Sequence, residues 1–95
     1  MKFAFMILGK DLHPEEDRAV IHGGEARIVG VSSMEEACAE AVRMKEEGVG
    51  CIELCGAFGP EGAERIVDAV HNSIPVGYAV HLPIQDGLFR KVFGE

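Results

Sequence analysis

Val49-Gly50-Cys51-Ile52-Glu53-Leu54-Cys55 runs straight into Gly56-Ala57-Phe58-Gly59-Pro60-Glu61-Gly62-Ala63. The first seven residues are mostly apolar and too few for an ordinary helix, so they read as a buried strand. The glycine-rich segment is a turn that opens a helix. Pro60 suits the first helical position, and Glu61 suits the positive end of the helix dipole. Ala63, Ile66, Val67 and Val70 then recur at helical spacing. Strand, glycine turn and amphipathic helix make one βα unit.

A second such unit precedes it. Ala26–Val31 is a β-type run. Ser33 is placed to cap the amide of Glu36, whose side chain is placed to reach back, a capping box. Met34, Ala37, Cys38, Ala41, Val42 and Met44 lie close to one helical face, and the small members let that helix approach a sheet. Gly48 ends it as a C-cap glycine. After the quoted stretch, Asn72-Ser73 stops the second helix. Ile74-Pro75 leads into a strand at Val76–His81, and Pro83 opens a helix reaching about Phe93. At the start of the chain, Phe3–Leu8 is a continuous apolar strand, and Gly9–Glu16 reads as a loop. Arg18–His22 is either one arm of a hairpin around Gly23-Gly24 or a short helix across the sheet; the extended reading is preferred.

Strands alternating with helices imply right-handed crossovers and a mostly parallel sheet. The expected fold is therefore a single α/β domain over residues 1–95. It has a mainly parallel four-stranded sheet and two to three packed helices, in a partial (β/α)-barrel-like or flavodoxin-like arrangement. Both sheet faces need cover, from helices or from a partner chain.

Composition narrows the function classes. Nine Lys+Arg stand against 16 Asp+Glu, a formal net charge of −7. Phosphate backbones and anionic membranes need a basic patch, so neither nucleic acid nor membrane is expected as a partner. The longest apolar run, Phe3–Leu8, is too short to span a bilayer. No signal peptide is expected after Lys2, and the protein reads as cytoplasmic. Cys38, Cys51 and Cys55 cannot all pair within one chain. On a strand, Cys51 and Cys55 would sit about 13 Å apart, beyond disulfide reach, so three reduced thiols are expected. With no Trp, one Tyr and five Phe, the core depends on aliphatic residues. Small cores of this kind are often completed by a neighbouring subunit, so a homo-oligomer is expected.

At Asp17–Ile21, Ile28–Ser33, Ile52–Ala63 and Pro75–Tyr78 the chain resembles a family of small prokaryotic proteins grouped as a domain of unknown function. Glu53-Leu54-Cys55-Gly56-Ala57-Phe58-Gly59-Pro60-Glu61-Gly62-Ala63 is the specific part of that resemblance. It implies no established activity and assigns no residue a role.

The candidate site is the glycine turn. It follows a strand and precedes a helix, where open α/β sheets bind ligands. Cys55, Gly56, Ala57, Phe58, Gly59 and Gly62 are the candidate ligand-binding residues, and a small anion is the expected ligand. The turn matches neither GxGxxG nor GxxxxGK[ST] and lacks a phosphate-binding lysine, so a carboxylate or single phosphate fits better than a nucleotide. The alternative is a tight turn with Phe58 plugging the core. Glu53, Cys55 and His81 are the candidate catalytic residues. Glu53 interrupts an apolar strand and needs a partner, with His81, His22, Arg18, Arg27 or Tyr78 available. Cys55 with His81 would make a thiolate–imidazolium pair. No local spacing signals a metal, and no cofactor is expected. Three classes follow: a small-ligand-binding oligomer, an enzyme using Glu53 with Cys55 or His81 on a small carbonyl or carboxylate compound, and an interaction protein without a pocket. Finally, the last helix carries two apolar lines. Ile84, Leu88 and Val92 form one, Phe89 and Phe93 the other, so one line is expected on the sheet and one on a second subunit.

Overall fold

A computed structural model describes residues 1–94. Five strands form one sheet: β1 (Lys2–Leu8), β2 (Arg18–Ile21), β3 (Ala26–Val31), β4 (Val49–Leu54) and β5 (Val76–Tyr78). Three helices accompany them: α1 (Met34–Glu46), α2 (Gly59–Ala69) and α3 (Asp86–Phe93). The strand order is β2-β3-β1-β4-β5, and every pairing is parallel except β2 with β3. The sheet is open, with β2 and β5 at its edges.

The expected four strands are corrected to five. Arg18–Ile21 is the added one, an antiparallel edge strand joined to β3 through His22, Gly23 and Gly24, all at positive φ. All four of its residues are exposed, so it shows no burial pattern in sequence. Its hairpin has a topological consequence. The path from β1 to β3 forms an edge strand rather than a helix, so it lays no helix on the sheet; only Leu12 and Asp17 pack over Gly30 at the strand ends.

The core lies on the other side of that sheet. Ala4, Met6, Val29, Val31, Ile52 and Leu54 point to one face and meet Ala37, Ala41 and Met44 of α1, Ala63 and Ile66 of α2, and Val70 just after it. Alanines at the contact let the helix backbones approach closely. The α1 cap forms as the sequence specifies: the Glu36 amide donates to Ser33 Oγ at 3.1 Å. Glu36 reaches one residue further back than expected, accepting from the Ser32 amide and hydroxyl at 2.8 and 3.0 Å. Gly48 follows α1 at φ +88°.

The opposite face carries no helix. The register places Phe3, Phe5, Ala26, Ile28, Cys51, Glu53, Ala19, Ile21 and Gly77 along it. The expectation that α3 covers the sheet is also corrected. Every residue from Ala79 to Gly94 is exposed, and α3 buries none of its side chains. The chain measures 39 × 27 × 26 Å with a radius of gyration of 13.6 Å. A compact chain of this length would have about 12 Å.

Candidate functional site

The ends of β1, β4 and β5 face the C-terminal segment across a cleft of about 950 Å³. Leu8, Cys55, Gly56, Ala57, Tyr78 and Ala79 form its body side. Val80, His81, Asp86, Phe89, Arg90 and Phe93 form its arm side. Leu8 and Cys55 follow from β1 and β4, neighbours in the sheet but far apart in the chain. This is the reversal point of the strand order, where open α/β sheets carry their crevice.

Each polar group in the cleft has a structural cause. Cys55 leaves β4 just after Leu54, its amide donating to the Met6 carbonyl at 2.9 Å. Its Sγ accepts from the Leu8 amide at 3.3 Å. A Cβ on Gly56 would touch the Ala79 carbonyl oxygen at 3.4 Å, an ordinary contact distance, so the turn runs close against the strand beside it. On the arm, His81 Nε2 lies 2.7 Å from Asp86 Oδ1, and its ring stacks on Phe89 with centroids 3.8 Å apart. The imidazole is thus held by a carboxylate at its edge and an aromatic ring on its face. Arg90 lies one turn after Asp86 and has no ion-pair partner among the described residues.

The structure divides the sequence-predicted residues. Cys55, Gly56, Ala57 and His81 line the cleft. Phe58, only 5% exposed, is part of the core under the turn. Gly59 and Gly62 are outside the cleft lining. Gly59 takes φ +64° and ψ −178°, a region only glycine occupies without strain, and this turns the chain into α2. Gly62 lets α2 pass Phe58, whose Cβ would be 3.1 Å from any Cβ at position 62. These two glycines serve the turn and its packing.

Glu53 does not join Cys55. It is half-buried on the bare sheet face, its carboxylate lying over Gly77, where an added Cβ would stand 2.8 Å from Oε1. It has no hydrogen bond or ion pair among the described residues, so the expected partner is not found. The proposed partners are engaged or placed elsewhere. Arg18 bonds the Pro14 carbonyl and approaches Glu40, Arg27 pairs with Glu47, His81 pairs with Asp86, and Tyr78 is in register with Leu54 on the helix side.

Two groups escaped sequence reasoning. Asp86 and Arg90 read as ordinary polar residues of a helix; their i, i+4 spacing on the Phe89–Phe93 side was the available signal. Glu40, 3% exposed, is the buried charge of the body. It is neutralised by Arg43 on its own helix and approached by Arg18 from β2 at 3.8 Å. The hydrogen bond to Glu40 holds the Arg43 guanidinium above its ordinary value. This cluster ties the edge strand to α1 and lies away from the cleft.

Cys38, Cys51 and Cys55 are free thiols. Among the described residues no group of His, Cys, Asp or Glu is arranged to hold a metal ion, and no helix is long and apolar enough to cross a membrane.

Fold and cleft together define a class: a small open-sheet α/β protein with helices on one sheet face and a crevice at the carboxyl ends of its parallel strands. Within that class, residues 1–94 match the model of the Family of unknown function (DUF6506), and the chain belongs to that family. No curated protein and no solved structure matches it.

Proposed function

We propose that this protein is a cytoplasmic homo-oligomer that binds a small anionic metabolite with an apolar body in the Cys55–Arg90 cleft. The carrying observation is the composition of that cleft. Leu8, Tyr78, Phe89 and Phe93 offer apolar surface, while His81, Asp86 and Arg90 gather on one wall. An apolar crevice with a few convergent polar groups is the usual form of a small-molecule site. Arg90, with no ion-pair partner among the described residues, supplies a guanidinium whose planar fork suits a carboxylate or phosphate. The anion therefore sits between the Gly56-Ala57 turn and the arm, rather than at Gly59–Gly62. The order of the four parallel strands favours the flavodoxin-like reading of the fold over the barrel-like one, and the crevice position agrees with it.

The test is a thermal-shift screen with phosphate, sulfate and small aliphatic and aromatic carboxylates, on the wild type and on Arg90→Ala. Stabilisation by a carboxylate that is lost in Arg90→Ala supports the reading. Stabilisation unaffected by Arg90→Ala, or none from any anion, removes it.

A second reading has one observation of its own, the His81–Asp86 hydrogen bond in the same cleft as Cys55. A thiol, an imidazole and an orienting carboxylate are the parts of a nucleophilic site. Cys55 Sγ would attack a carbonyl carbon while His81 takes the thiol proton, leaving the carbonyl oxygen as the alkoxide. Alkylation of Cys55 by iodoacetamide distinguishes the two. An activated thiol reacts faster than Cys51 and slows in His81→Asn, whereas an inert one does neither.

A further inference from the structure

The structure leaves two apolar surfaces of this chain without a partner, the bare sheet face and the outer line of α3, and they are complementary. We propose that α3 of one copy packs on the bare sheet face of a second copy. Its Leu88–Val92 line, continued by Ile84 in the turn before it, covers Phe3, Phe5 and Ile28, and its Lys91 meets Glu53. This deepens the self-association proposed above and rests on it.

Four observations carry the inference. Parallel sheets are covered on both faces, and here α1 and α2 cover only one. The bare face holds a shallow apolar depression lined by Phe3, Phe5, Ala19, Ile21, Ala26 and Ile28, with Arg27 at its rim. Next, α3 has only eight residues, far below the length at which a helix stands alone in water. It needs a packing surface, and its own body supplies one for half of it only. Phe89, 40% exposed, and Phe93, 76% exposed, line the cleft, while Leu88 at 56%, Val92 at 74% and Ile84 at 84% lie outside its lining.

Charge then selects the occupant. Glu53 is the one charged residue at the register positions of the bare face among the described residues, and it has no partner. Covering it with an apolar surface alone would strand a carboxylate, which is costly. Lys91 stands three residues after Leu88 and seven after Ile84, beside the outward apolar line. The helix thus brings a cation to the place where the sheet holds an anion. An own-chain helix held at the strand ends across its cleft does not reach this face, so a second copy is the occupant.

The experiment uses the full chain with Cys38→Ser and Cys55→Ser, which leaves Cys51 on the bare face two residues from Glu53. Leu88→Cys is added, and the protein is mildly oxidised and run on non-reducing gels beside the parent without Leu88→Cys. Native mass spectrometry of the wild type runs in parallel. The expected result is an oligomeric wild type and a reducible intermolecular bond between positions 51 and 88, absent in the parent. Lys91→Glu should weaken association several-fold, and adding Glu53→Lys should restore it. A wild type that is monomeric at every concentration overturns the self-association and this inference together. An oligomeric wild type without the 51–88 bond, or a parent that already joins through Cys51, overturns this inference alone, the latter by placing sheet against sheet.

Discussion

The sheet-and-helix body and the C-terminal arm are built from similar apolar residues and end in opposite states. In the body, Met6, Met44, Ile52, Leu54 and Ile66 are fully buried. In the arm, Val80, Leu82, Ile84, Leu88, Val92 and Phe93 are all well exposed. Local propensity does not separate them, since α3 carries an apolar stripe as regular as that of α2. The difference is what each stripe meets. Helix α2 finds Ile52, Leu54 and α1 within its own chain, whereas the outer half of α3 finds nothing there. The body is folded by its own contacts, and the arm is folded by contacts it must obtain elsewhere.

The sharpest way to break this comparison is to truncate one apolar residue in each region. Ile66→Ala in the body should cost about 2–5 kcal/mol in urea unfolding. Leu88→Ala, measured under conditions where the protein is monomeric, should shift stability by less than about 0.5 kcal/mol. Equal losses would show that the arm is part of the monomer's core. The next effect is in the glycine turn. Gly59→Ala should cost about 1–3 kcal/mol, because φ +64° with ψ −178° admits glycine alone. A neutral result in the same unfolding assay would mean that the turn relaxes freely.

How much of this was readable follows the same division. The α1 cap and the βα unit around Gly56–Gly62 were legible, because each is specified by residues close in sequence, and the parallel pairing followed from strands alternating with helices; the Gly23-Gly24 hairpin was one of two readings, and its strand was not among the four expected. The bare face was not, because Phe3, Phe5 and Ile28 read as buried strand residues whichever side the helices take. Glu53 likewise read as a residue needing a partner. Its separation from Cys55 comes from where β4 ends, with Glu53 held in the sheet over Gly77 and Cys55 released to the cleft. Of the cleft, Cys55, Gly56, Ala57 and His81 were named in advance. Asp86 and Arg90 were not, because only the fold brings the arm over the strand ends.

Smaller effects refine the picture. Ser33→Ala removes the acceptor of the Glu36 amide and should cost about 0.5–2 kcal/mol of body stability. Gly87→Ala meets nothing within 4 Å. It should favour the α3 helix by about 0.5–1 kcal/mol, tightening association while leaving the body's midpoint in place. The smallest effect is electrostatic. The hydrogen bond from Arg27 is the main cause holding the Glu47 carboxyl below the usual carboxylate range. Its ionised form is favoured by folding, so its contribution is present above the ordinary carboxylate value. It is lost as pH falls through the lowered value. Arg27→Met should flatten that part of the acid dependence, read as denaturation midpoints at neutral and acidic pH.

The most direct test of the account is amide hydrogen exchange across α3 as a function of protein concentration. Arm amides in Asp86–Phe93 should be protected at high concentration and exchange like an open chain once dilution gives the monomer. Amides of β1, β4 and α2 should stay protected throughout. Arm protection that persists unchanged in the monomer, or that never appears at any concentration, would contradict the claim that a second copy folds the arm.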